Sequence, residues 1–247
     1  MKTCHVAAVA VLLAAALLLP GCRSTTRARE VKLSGFLKDY AQLKLNSGDG
    51  ALYTYADPEV DFTKYDKIMF EPVVICAAPD SDLGKAPKKD LQALVDYMQA
   101  KTLQEVGKSF TVVKDPGPGV MLVRSALTDV GTKHVVLATA SSVTPVGIAL
   151  QSIEMLAMGT TLAAGDASIE VEILDSVTRR RLAAAVDRRV GTPIPDSRAF
   201  DKWGHTKDAL DYWIERLAMN LTKRHTGLPV QAPPPDAPAL TDPAARK

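Results

Sequence analysis

The residue whose chemistry is most sharply defined is Cys22. It closes the stretch Leu19-Pro20-Gly21-Cys22, directly behind an unbroken apolar run from Val6 to Leu19. A thiol beside a small residue at the end of such a run resembles the bacterial lipobox. There the sulfur takes a diacylglycerol and the amine freed by cleavage takes an acyl chain such as palmitate. The run is 14 residues long, short of the roughly 20 that cross about 30 Å of hydrocarbon. With Lys2 ahead of it, it has the layout of a cleaved signal peptide, residues 1–21. Three acyl chains, at about 0.8 kcal/mol per buried CH₂, would hold the protein to a membrane almost permanently. Arg23, where an aspartate would favour inner-membrane retention, points to the periplasmic face of the outer membrane.

Other reactive side chains are sparse. Of four histidines, His5 leaves with the signal, and His134, His205 and His225 lack a His or Cys partner at metal-ligand spacing. Neither a metal site nor a cofactor is expected. Gly-x-Ser-x-Gly, a Walker loop and Gly-x-Gly-x-x-Gly are all absent from the sequence, so no catalytic activity is evident. Gly117-Pro118-Gly119 reads as a turn, because proline removes a donor that a phosphate cradle would need. With Cys4 removed and Cys22 acylated, Cys76 is the last thiol; it ends the run Val73-Val74-Ile75 and reads as a small buried hydrophobe. Without Lys2 the 30 basic residues become 29, against 28 acidic. That balance, with export, argues against nucleic acid as a partner.

The densest charge is Arg179, Arg180, Arg181, Arg188 and Arg189. They read either as a solvated hairpin face balanced by Glu170, Glu172 and Asp187, or as a patch for anionic partners. In the second case Arg179, Arg181 and Arg188 would make the contacts.

These residues need elements to hold them. Residues 22–30 are polar and aperiodic, a lipidated tether. Residues 31–228 form the domain, and residues 229–247, rich in proline, an extended solvated tail. Pro87 opens a helix whose stripe Leu91, Leu94, Val95, Met98 and Val106 runs to Gly107. Thr206 caps a second, with Leu210, Trp213, Ile214, Leu217 and Leu221 facing the core and Lys223, Arg224 and His225 complementing its C-terminal dipole. Strands are expected over Lys67–Cys76, with Pro72 marking an edge or bulge, and over Phe110–Val113 and Val120–Leu127. Ser168–Asp175 and Arg180–Val190 alternate as a hairpin; a loop over Asp175 to Thr178 would set Val171 opposite Leu182 and Glu172 opposite Arg181. The element order predicts a single α+β domain, a mainly antiparallel sheet covered on one side by two or three helices.

Val135 to Gly165 stands apart, with Glu154 its one charge over 31 residues. Val146, Ala149, Leu150, Ile153, Leu156 and Thr160 keep helical spacing, while Ile148, Met155 and Met158 widen the apolar surface. Such a segment is buried, or contacts a partner or a membrane, with Ile153 and Leu156 as contact residues.

Several blocks, taken in order, resemble a known family. They are Ser34-Gly35-Phe36-Leu37 with Asp39-Tyr40 and Leu43-Lys44, then Asp61 to Ile68 with Pro72-Val73, then Asp115 to Val120, then the Glu170–Arg189 hairpin. The resemblance is to a bacterial lipoprotein family known as domain of unknown function thirty-three-thirteen, over most of residues 33–225. It implies an outer-membrane-associated envelope protein and carries over no catalytic residue. The sequence thus predicts a lipid-anchored protein acting by binding, as an adaptor or scaffold for an envelope protein or peptidoglycan. An oligomer built through the 135–165 segment, as in secretion or assembly complexes, is the alternative. An enzyme assembled from residues distant in sequence is the third reading.

Overall fold

The computed structural model describes residues 25–131, 165–191 and 203–240. In chain order these form β1 (Thr25–Arg27), β2 (Lys44–Leu45), β3 (Tyr53–Ala56), β4 (Lys67–Phe70) and β5 (Val74–Ile75). There follow α1 (Lys88–Val106), β6 (Thr111–Val112), β7 (Val120–Val130), β8 (Asp166–Asp175), β9 (Arg181–Gly191) and α2 (Gly204–His225). The strands join into one sheet in the order β2-β3-β9-β8-β7-β4-β6, with β1 on β9 and β5 on β7.

The sheet is mixed, which corrects the expectation of a mainly antiparallel one. The pairs β7–β8, β8–β9, β9–β3, β3–β2 and β1–β9 are antiparallel, whereas β4–β6, β4–β7 and β5–β7 are parallel. The cause is α1: a helix between β5 and β6 carries the chain back to the starting end of the sheet, so the next strands run with β4. Pro72 splits the Lys67–Cys76 stretch as its missing N–H requires. Phe70 pairs with Val123 and Val74 with Ala126, so one extra residue bulges out between them.

The hairpin forms, but in a different register. Val171 faces Ala185 and Glu172 faces Ala184, not Leu182 and Arg181. Two local features cause the shift. The Asp175 carboxylate accepts from Val177 N, Thr178 N and the Thr178 hydroxyl, and Arg179 takes the left-handed conformation, φ 61°. A bulge then falls between the Ile173–Ala183 and Leu174–Arg181 pairs. The displacement is odd, so Glu170 and Glu172 share a face with Ala184 and Val186 instead of lining a separate charged face.

Both faces of the sheet are covered. Two helices, α1 and α2, lie on one, in cores formed by Leu94, Met98, Leu210, Ile214, Leu127 and Ile169 and, further along, by Val106, Phe110, Leu221, Met121, Val123 and Ile173. α2 starts two residues before Thr206, which is itself buried inside the helix. The opposite face is covered by coil, with Leu37, Tyr40 and Leu43 packing on Ala184 and Val186. The chain ends also join the fold earlier and later than expected. Thr25–Arg27 is a strand on β9. In the proline-rich tail, Leu240 is buried, its N–H bonds Leu43 O at 2.8 Å, and Leu45 N bonds Pro238 O at 3.0 Å. Part of the expected solvated tail is thus tied to β2 through Ala239 and anchored by Leu240, while most of its described residues stay exposed.

Candidate binding site

Side-chain size across the helix-covered face decides where space is left. Strand pairing sets Thr54, Ala185, Val171 and Ser125 in one row, and Ala56, Ala183, Ile173, Val123 and Phe70 in the next. All four β3 and β9 members are no larger than threonine. α2 bridges this region, with Leu210 and Ile214 in one apolar cluster and Leu221 in the next. Val171 touches both clusters but is buried in neither, although it sits on a central strand. A cavity of about 540 Å³ lies there, between the small side chains of the sheet and Trp213, Leu217 and Leu221 of α2. That volume falls within the roughly 300–1,000 Å³ usual for small-molecule sites.

The carboxylates on its wall are already engaged. Asp187 accepts from Leu52 N at 2.9 Å and from Trp213 Nε1 at 2.7 Å. Burial pushes its pKa up, a push only partly offset by the Trp213 bond and by Arg189. Glu71 accepts from Arg124 Nε at 2.8 Å, and Asp49 pairs with Arg216 at 2.5 Å. Arg224, near the C-terminal end of α2, is different. Its guanidinium stands 5.0 Å from the centre of the Phe62 ring, and among the described residues no carboxylate pairs with it. Burial alone lowers its pKa. On the wall beside β3, the buried Thr54 hydroxyl has no hydrogen-bond partner among the described residues.

The arginines singled out in the sequence are built into the fold. Arg181 pairs with Glu172 at 3.1 Å and donates to Asp39 O and Gln42. Arg188 binds Asp166, and Arg179, about half exposed, reaches Glu71 at 3.5 Å. Arg180 holds Asp57 and Glu59, while Arg189 is buried against Thr25 and over the Tyr212 ring. The solvated face expected of Glu170, Glu172 and Asp187 does not form: all three are buried. Glu170 accepts from Ser34 N at 2.7 Å, Leu37 N at 3.2 Å and the Tyr40 hydroxyl at 2.6 Å. Burial first, and then this carboxylate, push the Tyr40 pKa above its usual value. Cys76 is half-buried, its Sγ 3.8 Å from Ser34 O. His225 lies 5.3 Å from the Phe110 ring, its buried Nδ1 without a hydrogen-bond partner among the described residues, a packing role beside the expected dipole role. Cys22, His134, Ile153 and Leu156 lie outside the described residues.

Sequence reasoning missed the cavity. Its one signal was Ala183-Ala184-Ala185 in the middle of a strand, where β-branched or aromatic side chains usually fill space.

Fold and cavity together define an α+β domain in which a helix layer stands over a mixed sheet above an apolar hollow. The chain belongs to the family described as protein of unknown function (DUF3313), whose model matches residues 32–217. It is similar to the uncharacterized lipoprotein YdcL of Escherichia coli K12, at 26% identity over 219 residues, covering 85% of this chain and 94% of that protein. Among solved structures it matches the PelC dodecamer from Paraburkholderia phytofirmans, at 11% identity and TM-score 0.31, over 67% of this chain and 94% of that one. It also matches protein XCC0632 from Xanthomonas campestris, at 10% identity and TM-score 0.30, over 69% and 86%.

Proposed function

We propose that the protein is a lipid-anchored envelope protein that acts by binding, as a non-catalytic adaptor or scaffold on the periplasmic face of the outer membrane. The lipobox layout ending at Cys22 and the lipoprotein relative support the anchor, and Arg23 supports the outer-membrane address. The observation that carries the binding function is the cavity beneath α2. Its floor is mostly apolar, and Asp187, Glu71 and Asp49 are each tied to a structural partner. Such a wall suits holding a molecule better than moving protons, which needs a titratable pair free to reach a substrate. The partner is an envelope protein or peptidoglycan.

Two measurements test this. Wild type is expected to incorporate labelled palmitate and Cys22→Ser to lose the label and the membrane; label retained in Cys22→Ser sinks the anchor. In-cell crosslinking from the cavity rim, at Asn220 or Gln42, is expected to capture one defined envelope partner. Capture of bulk lipid and abundant porins alone counts against the adaptor.

A further inference from the structure

We propose that the cavity under α2 holds a single acyl chain bearing a carboxylate, with the chain along Val171, Ala183 and Ala185 and the head group on Arg224. This rests on the binding function above and names its ligand class.

The argument is one of shape and charge. The hollow runs between two packed clusters, and its sheet floor is mostly apolar, with Val171, Ala183 and Ala185 at its centre and the hydroxyl residues Thr54 and Ser125 in the row of Val171 and Ala185. A flexible chain of methylenes fills an irregular, mostly apolar space and brings no polar groups of its own along its length that would need partners. Arg224 supplies the polar end. In the last turn of α2 a cation complements the helix dipole, and that function asks for exposure to the helix end only. Arg224 instead lines the cavity, over Phe62, partly stripped of water and without a carboxylate among the described residues. A desolvated guanidinium gains from an anion that accepts its fork of donors. Lys223, its neighbour, also lines the cavity. The wall's own carboxylates cannot serve, because Asp187, Glu71 and Asp49 are committed elsewhere.

The probe is a stearate carrying a nitroxide on its chain, added to the full-length protein in phosphatidylcholine nanodiscs. Trp213 lines the cavity, so in a Trp203→Phe background its fluorescence reports entry of the nitroxide. Saturable quenching is expected, with the corresponding nitroxide-labelled alcohol at least tenfold weaker. Arg224→Gln should weaken the stearate at least tenfold and leave the alcohol unchanged, and Arg224→Lys should restore much of the difference. Ala185→Leu should abolish binding of both while keeping a cooperative unfolding transition; Ala183→Val serves if that variant does not fold. Equal affinity for stearate and alcohol, undiminished binding in Arg224→Gln, or no saturable quenching overturns the proposal. Absent stearate binding, with an envelope partner still crosslinked, removes the acyl ligand alone. Stearate binding without any crosslinked partner removes the adaptor alone.

Discussion

The two faces of the β8–β9 hairpin obey the same alternation and are filled in opposite ways. On the coil-covered face the central side chain is a carboxylate, Glu170, which is wholly buried and accepts three hydrogen bonds. Around it Leu37, Leu43 and Val186 are buried to within 1% of complete. On the helix-covered face the central side chain is Val171, an apolar residue, and it borders a hollow of about 540 Å³. Polarity therefore does not decide which face is tight. Satisfaction does: a coil can bend its N–H groups onto a carboxylate, whereas α2 is a rigid rod that crosses a row of alanines without reaching them.

The largest expected effect comes from breaking the tight face. Glu170→Ala strands Ser34 N, Leu37 N and the Tyr40 hydroxyl in a buried site. At about 1–3 kcal/mol per unsatisfied group, less the charge no longer buried, a loss of about 3–5 kcal/mol is expected. Urea unfolding measures it, and a loss below 1 kcal/mol would mean that water serves those groups. Leu43→Ala, on the same face, should cost about 2–4 kcal/mol, while Val171→Ala on the other should cost less than about 1 kcal/mol. Equal costs would show that the two faces are packed alike.

Adjacent alanines sharpen the contrast. Ala184 is buried against Leu37, Tyr40 and Leu43, so Ala184→Val overpacks and should cost about 1–3 kcal/mol. Ala185 faces the hollow, so Ala185→Val should be neutral or stabilising by about 0.5 kcal/mol. Thermal unfolding should lower the midpoint for Ala184→Val and leave it unchanged or raise it for Ala185→Val.

How much of this was legible follows from the range of each signal. Both described helices were readable within a few residues, because an apolar stripe bounded by Pro87 and Gly107 is local information. So was the existence of the hairpin, from Ile169, Val171 and Ile173 alternating with Glu170 and Glu172. Its register was not. One carboxylate, Asp175, and a bulge at Leu182 shift the pairing by three residues, and no periodicity encodes that. The buried state of Glu170 was hidden for the same reason. Alternation assigns a glutamate to the polar side, and only residues 34–40, 130 or more positions away, turn that side into an interior. The parallel part of the sheet was missed because β4 and β7 meet across α1, a tertiary event. The cavity depends on strand order as well as composition. Ala183 and Ala185 line a hollow only because Val171, Thr54 and Ser125 are set beside them.

The smallest expected effects are electrostatic, and they separate two aspartates at the ends of the region. Burial at Asp187 outweighs its hydrogen bonds and raises its pKa. At Asp175 burial also pushes upward, but Thr178, Tyr65 and Val177 donate to the carboxylate and the net shift is downward. The pH slopes therefore oppose. The lowered Asp175 pKa contributes stability that is present above the ordinary carboxylate value near 4 and is lost as pH falls through the folded value. The raised Asp187 pKa contributes stability that is complete below that ordinary value and is lost as pH rises through the folded one. Urea titrations of Asp175→Asn and Asp187→Asn between pH 3.5 and 7 should show the first substitution costing more as pH rises and the second costing less. Parallel slopes would mean that Asp187, beside the cavity, is as well served as the turn carboxylate. The hollow would then have to be wetter than its mostly apolar floor requires.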